Sequence, residues 1–121
     1  MEEITTMRKS KAKGRRLQNL VRDKLRKVFV ETTKIPRLDE DDIKSQTMGM
    51  GGEDIVLSPI ARKYIPYSIE CKNVERVNIW NALKQAESNT KEETKPVLII
   101  KRNNTKPYAV IELNHWIDLI S

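Results

Sequence analysis

Asp54, Glu70 and Lys72 are the residues of this 121-residue chain whose types and spacing suit chemistry. Asp54 opens the apolar run Ile55-Val56-Leu57, while Glu70 and Lys72 stand two residues apart in Ser68-Ile69-Glu70-Cys71-Lys72-Asn73. Side chains alternate along a strand, so Glu70 and Lys72 share one face and Ile69 and Cys71 the other. Pairing of the two runs would bring Asp54 to Glu70. Adjacent carboxylates repel, and a raised pKa or a divalent cation relieves them. A hard cation such as Mg2+ takes oxygen ligands, with carboxylates, water and substrate phosphate completing its shell. Lys72 alongside can then orient or help deprotonate an attacking water. The same residues have a plainer use: an Asp before a strand serves as a turn or cap residue, and Glu-x-Lys forms solvent-facing ion pairs worth under about 1 kcal/mol. On these residues alone both readings stand.

Other parts of the chain must position them. Leu17, Leu20, Val21, Leu25, Val28 and Phe29 recur at three- and four-residue spacing, which predicts an amphipathic helix over about 12–29, begun near Ser10 or Gly14. The stretch Thr32 to Gly52 holds Pro36, the acidic run Asp39 to Asp42, Gly49 and Gly51, and reads as a long loop with room for one short strand. Ile55 to Leu57 and Tyr64 to Lys72 read as a hairpin joined through a turn at Ser58-Pro59. Ile79, Trp80, Ala82, Leu83 and Ala86 mark one side of a helix from Val77 to about Ser88. Pro96 to Arg102 and Pro107 to Leu113 read as strands joined by Asn103-Asn104-Thr105-Lys106, and Asn114 as the cap of a last helix, His115 to Ile120. This order predicts one small α/β domain without repeats.

Charged residues make up 33% of the chain and apolar residues 38%, polar but sufficient for one modest core. The formal charge of +6 is N-terminal in origin, because residues 1–34 hold eleven Lys/Arg against four Asp/Glu and the remainder twelve against thirteen. Arg8, Lys9, Lys11, Lys13, Arg15, Arg16, Arg22, Lys24, Arg26 and Lys27 face only Asp23, a pattern that attracts phosphates with steep salt dependence. A solubilising tail with a solvated helix face accounts for the same charges, and a membrane-surface helix ranks last because its stripe lacks Trp. No apolar run approaches the roughly 20 residues that span a bilayer, and the start of the chain lacks a secretory core, which predicts a cytoplasmic protein. One cysteine and one histidine exclude an internal disulfide and a Cys/His zinc site.

Gly52-Glu53-Asp54-Ile55-Val56-Leu57, then Ser68-Ile69-Glu70-Cys71-Lys72-Asn73, then a helix carrying Gln85 together resemble the metal-dependent PD-(D/E)XK nucleases. More narrowly they are similar to the archaeal-type Holliday junction resolvases and their phage relatives. The likeness extends to Lys13-Gly14-Arg15-Arg16-Leu17-Gln18-Asn19-Leu20-Val21 and the closing strands, and so covers most of the chain. It implies a restriction-endonuclease-like α/β fold, a central mixed β-sheet flanked by helices, over residues 13–121; residues 1–12, by their Lys and Arg content, read as a basic flexible tail. It also implies an Mg2+-dependent endodeoxyribonuclease, with Mn2+ able to substitute, whose homodimer resolves four-way DNA junctions by paired symmetric nicks in the host-cell cytoplasm. On this likeness Asp54 and Glu70 are metal ligands, with the Cys71 backbone carbonyl a third. Lys72 acts on the nucleophilic water, Gln85 helps hold the lysine or a phosphate, and Ser45 lies near the scissile phosphate. DNA contacts are expected at Lys11, Lys13, Arg15, Arg16 and Arg22.

Two positions differ from the family pattern. Gln18 stands where the first helix usually has glutamate, and Glu53 where many members have proline. Gln18 lies at the edge of the Leu17, Val21 and Leu25 stripe, from which it can point toward the site, although an amide binds Mg2+ less strongly than a carboxylate. A nuclease of the same fold acting on other branched or single-stranded DNA, and a noncatalytic DNA-binding protein, are the alternatives. Elsewhere, His115 reads as a packed or capping residue, Trp80 and Trp116 as core or subunit interface, and Arg62, Lys63, Arg76, Lys101, Arg102 and Lys106 as exposed charges that can extend a phosphate-binding surface.

Overall fold

The computed structural model describes residues 2–32 and 38–121, with side chains from residue 8 onward. In chain order, α1 (Glu2–Arg26) runs into a π-helical stretch, Lys27–Thr32, and a 3-10 turn, Glu40–Asp42, leads into β1 (Ile43–Ser45) and β2 (Ile55–Leu57). Then come α2 (Pro59–Tyr64), β3 (Tyr67–Asn73), α3 (Ile79–Ser88), β4 (Lys95–Lys101), β5 (Tyr108–Val110) and α4 (Leu113–Ile120). Among the described residues no helix is long and apolar enough to cross a membrane.

α1 begins at Glu2, well ahead of the expected residue 12. Its first turns contain helix-favouring Glu, Lys, Arg and Ala but little apolar periodicity, so the stripe marked only the part with a core to face. Leu17 is buried, and Val21, Leu25, Phe29 and Val30 pack behind it. A four-residue spacing drifts by about 40° per turn around a helix of 3.6 residues per turn. The wider π turn offsets that drift and keeps Phe29 and Val30 on the core side. Leu20 and Val28, expected in the stripe, lie off this flank and are exposed. Arg26, expected among the phosphate-facing cations, instead donates from Nε to the Ile43 carbonyl (2.8 Å) and from Nη2 to the Glu40 carbonyl (2.9 Å), which ties the helix to β1.

The expected hairpin of 55–57 with 64–72 does not form. β2 pairs antiparallel with β1, Ile43 opposite Leu57, because the Ser58-Pro59 step starts a helix rather than a turn. Ser58 Oγ accepts from the Ala61 N–H (3.1 Å), and Pro59 is preset for the first helical position. β3 pairs parallel with β4, Glu70 opposite Leu98, through the α3 crossover, and β4 pairs antiparallel with β5. The sheet β3-β4-β5 is therefore mixed, as the α/β expectation required. The last helix is capped by Glu112, which accepts from the His115 N–H (2.9 Å), rather than by Asn114.

Alternation along β3 gives the sheet two faces. Ser68, Glu70 and, in register, Leu98 face α3, whose Ala82 and Ala86 are small enough to lie close. Ile69 and Cys71 face the other way, onto a core of Leu17, Leu38, Ile43, Ile55, Leu57, Ala61 and Ile65 supplied by α1, α2 and the β1-β2 ribbon. The domain is thus a three-stranded mixed sheet with α3 on one face and α1, α2 and the separate β1-β2 ribbon on the other. Leu17→Ala, which empties a site only 1% exposed, should cost about 3 kcal/mol in urea denaturation. Leu20→Ala, at 36% exposure, should cost less than about 1 kcal/mol.

Candidate metal centre

β3 has β4 on one side only, and Asp54 occupies its other edge. The Asp54 N–H donates to the Ile69 carbonyl (2.9 Å), and the Cys71 N–H donates to Asp54 Oδ2 (2.7 Å). In an extended strand the N–H and C=O of one residue point the same way, so the Cys71 carbonyl also faces the Asp54 side. Its thiol points into the core on the opposite face, where burial pushes its pKa up and keeps it protonated. Cys71 can therefore offer a carbonyl oxygen and not a thiolate.

Glu70 is 3% exposed, and its Oε1 accepts from Asn89 Nδ2 (2.8 Å) at the end of α3. Burial lifts its carboxyl to about 7, partly countered by the Asn89 hydrogen bond and reinforced by the negative charge of Asp54. Lys72, two residues on, pulls weakly in the opposite direction. Asp54, Glu70, Cys71 and Lys72 line a cavity of about 340 Å³ with Gly14 and Gln18 of α1, residues 47–52, and Gln85 and Asn89. Gly14 faces the loop, where a Cβ would sit 3.2 Å from Met48 Cε and displace that side-chain end by a few tenths of an ångström. Gly49 and Gly52 take the positive φ angles, 87° and 91°, that turn the loop.

The donor set suits a hard divalent cation. It comprises two carboxylates, the Cys71 carbonyl and Gln18 Oε1, which is buried without a hydrogen-bond partner among the described residues. Among the described residues no cluster of three or more His, Cys, Asp or Glu side chains could hold a metal, so a cation here would rely on neutral oxygens beside the two carboxylates.

Gln85 is exposed at the cavity rim. Ser45 does not line the cavity; its Oγ donates to Asn19 Oδ1 (2.8 Å) across the α1–β1 contact. Lys11, Arg15 and Arg16 are exposed along α1, whereas Arg22 is engaged with Asp23 (2.9 Å) and Asn19 (3.2 Å). Lys13 Nζ lies 3.6 Å from Glu75 Oε2. His115 Nε2 pairs with Tyr67 Oη at 2.7 Å, a packed role as read. Trp80 and Trp116 are 81% and 49% exposed, which removes the core reading for both. Asn89 was not singled out in the sequence, where it is one more polar residue after a helix. Its position just past the apolar stripe was the available signal.

Over residues 9–120 the sequence matches the family described as "Phage putative PDDEXK endonuclease". The chain belongs to this phage PDDEXK endonuclease family. No curated protein and no solved structure matches it. PD-(D/E)XK nucleases generally use divalent metals, in keeping with the oxygen donors of this PDDEXK chain, and they act on nucleic acid.

The residue before Asp54 also has a physical account. Glu53 is 4% exposed and forms hydrogen bonds and an ion pair with Arg62 of α2. A pinned carboxylate thus fixes the approach to Asp54 where proline would fix it by its ring. Arg62, expected as a surface charge for phosphate, is committed to this pair. Arg62→Ala leaves Glu53 buried and unpaired and should cost about 3 kcal/mol in chemical denaturation.

Glu70 supplies a pH signature. Its folded pKa, about 7, lies above the ordinary carboxyl value, so its contribution to stability is full at low pH and is lost as pH rises through about 7. Without metal, the melting temperature should fall as pH rises from about 4.5 to about 7 and level off above. An added divalent cation, which competes with the Glu70 proton, should raise it more at pH 8 than at pH 6. Glu70→Gln should flatten both responses in a thermal-melt series.

Proposed function

We propose that this chain is an Mg2+-dependent endodeoxyribonuclease for branched DNA, and that a homodimer nicks four-way junctions at paired symmetric positions. The observation that carries the reading is the meeting of Asp54, Glu70 and Lys72 with an all-oxygen donor set in a cavity beside a basic helix. Mn2+, of equal charge and similar ligand preference, would substitute for Mg2+. When bound, the cation supplies Lewis acidity at the attacked phosphate and makes water more acidic.

The chain's own residues do the positioning. The Cys71 N–H fixes the Asp54 carboxylate, and Asn89 fixes that of Glu70. Lys72 presents its ammonium to the attacking water or to a nonbridging phosphate oxygen, and Gln85 at the rim holds the lysine or that phosphate. Lys11, Arg15 and Arg16 lie on the exposed surface of α1, where a DNA backbone can pass. Ser45, tied to Asn19, would act near the scissile phosphate only after exchanging that hydrogen bond.

The second copy is supported by an apolar surface. Leu113, Trp116, Ile117, Leu119 and Ile120 of α4 are all exposed, beside the exposed Tyr108 of edge strand β5. A two-fold partner covering this face would present two sites to two equivalent strands. Such an enzyme would meet its DNA in the host-cell cytoplasm.

Labelled four-way junction, linear duplex and single strand, each incubated with Mg2+ and with EDTA, test the reading. Opposed nicks confined to the junction and requiring Mg2+ are expected. Asp54→Asn and Glu70→Gln should each lower cutting by at least about 100-fold, the scale of losing a principal electrostatic contact, with junction binding within a few-fold. Normal cutting by both variants overturns the assignment. Gln18 in place of a carboxylate favours the second reading, a noncatalytic DNA-binding protein, which requires binding without metal-dependent cuts in any buffer.

A further inference from the structure

α1 walls two cavities. Gly14 and Gln18 face the carboxylates, while Lys13, Arg16 and Leu20 face a larger cleft of about 680 Å³, closed on its far side by Lys101 and by Asn103 and Asn104 of the β4–β5 turn. Asn73, at the end of the strand that carries Glu70, lines the larger cleft, and its Nδ2 donates to the Lys13 carbonyl (3.0 Å).

Three features show that the cleft is built. Glu75 Oε2 accepts from the Asn103 N–H (2.7 Å) and pairs with Lys13 (3.6 Å), which clamps the turn against the helix. Asn104 is held at a φ of 62° in the turn, a conformation that asparagine tolerates better than most residues. Asn73 is 8% exposed, and its Oδ1 is buried with no hydrogen-bond partner among the described residues. Such an acceptor is costly unless something donates to it.

The lining chemistry indicates the occupant. Lys13 and Asp23 are matched by Glu75 and Arg22; Arg16 and Lys101 make no ion pair among the described residues, and Lys101, whose Nζ donates to the Arg102 carbonyl (3.0 Å), keeps its charge and two further donors, so two cations are left for an anion. A phosphate alone would need only those. The cleft is far larger than one ion, and its asparagine amides both donate and accept, as a base edge requires. The apolar flank of Leu20 offers contact to the face of a base. Bases stacked in a duplex cannot enter such a cleft, whereas unpaired ones can be splayed into it.

We propose that the cleft between α1 and the β4–β5 turn binds an unpaired nucleotide of the DNA substrate, its phosphate on Arg16 and Lys101 and its base against Asn73, Asn103 and Asn104. The inference rests on the nuclease reading above and deepens it, since it makes a nucleotide released where pairs open at the branch point part of what the protein recognises.

Fluorescence anisotropy on the full chain in EDTA tests it with three labelled probes: a single strand, a strand of equal length made of abasic nucleotides, and a blunt duplex. The native chain should bind the base-bearing strand at least fivefold more tightly than the abasic one. Arg16→Gln with Lys101→Gln should lose tenfold or more on the single strand and no more than about threefold on the duplex, where Arg16 is one of several α1 cations along the backbone. Lys84→Gln, on α3 and away from the cleft, should lose nothing. Asn103→Ala, which alters no charge, should weaken the base-bearing strand several-fold and the abasic strand not at all, and thermal melts establish that each variant folds. Equal losses on strand and duplex would reduce the cleft to a general basic surface, and equal binding of the two strands would remove the base; either overturns the proposal.

Cleavage by Asp54→Asn, measured in parallel, separates the two readings. Native-like cutting by that variant defeats the placement of the active site at Asp54, and absence of metal-dependent cutting by the native chain defeats the nuclease reading, while either leaves the cleft result standing. Unaltered strand binding by the cleft variants defeats the cleft while leaving the nuclease intact.

Discussion

Glu70 is buried beside the carboxylate of Asp54, and neither the Asn89 hydrogen bond nor the charge of Lys72 offsets the cost of that burial. Two carboxylates set side by side are accommodated by the raised pKa of Glu70, and backbone geometry rather than choice of rotamer holds them there. Asp54 cannot retreat, because its main chain and its carboxylate are both bonded to β3. Glu70 cannot turn outward, because strand alternation aims it under α3. The surrounding elements read as consequences: Gly14 thins the helix where the loop closes, and Gln18 brings oxygen to the site without adding a third negative charge.

The sequence carried the site better than it carried the connections. The shared face of Glu70 and Lys72, and the opposite one of Ile69 and Cys71, were legible because strand alternation depends only on covalent geometry, whereas the approach of Asp54 to Glu70 was read from a hairpin that does not form. The pairing partner of β2 was not legible. Three apolar residues can pair with any compatible edge, and Ser58-Pro59 starts a helix as readily as it ends a strand. The start of α1 was invisible for a different reason, since a solvated basic helix has no apolar period to read. Asn89 and the Glu53–Arg62 pair depend on where α3 and α2 land, which is tertiary information that local spacing does not contain.

α1 also shows how a small domain economises on parts. One helix contributes Leu17 to the core, Gln18 to the carboxylate cavity and Arg16 to the opposite cleft, because successive side chains point about 100° apart around its axis. Arg26 fastens the same helix to β1, so its orientation is fixed at both ends of its packed half. The residue types follow this division: apolar toward the sheet, amide toward the carboxylates, cationic toward the cleft.

An open edge such as that of β3 is ordinarily a hazard, since unpaired N–H and C=O groups recruit strands from other molecules. Here the residue that reaches the candidate metal position also stoppers that edge, with its amide on Ile69 and its carboxylate on Cys71. Selection against self-association and selection for reactivity therefore press on one side chain. A descendant with no further need of the reaction would still be held to an acceptor at position 54 by the demands of staying dispersed in a crowded cell.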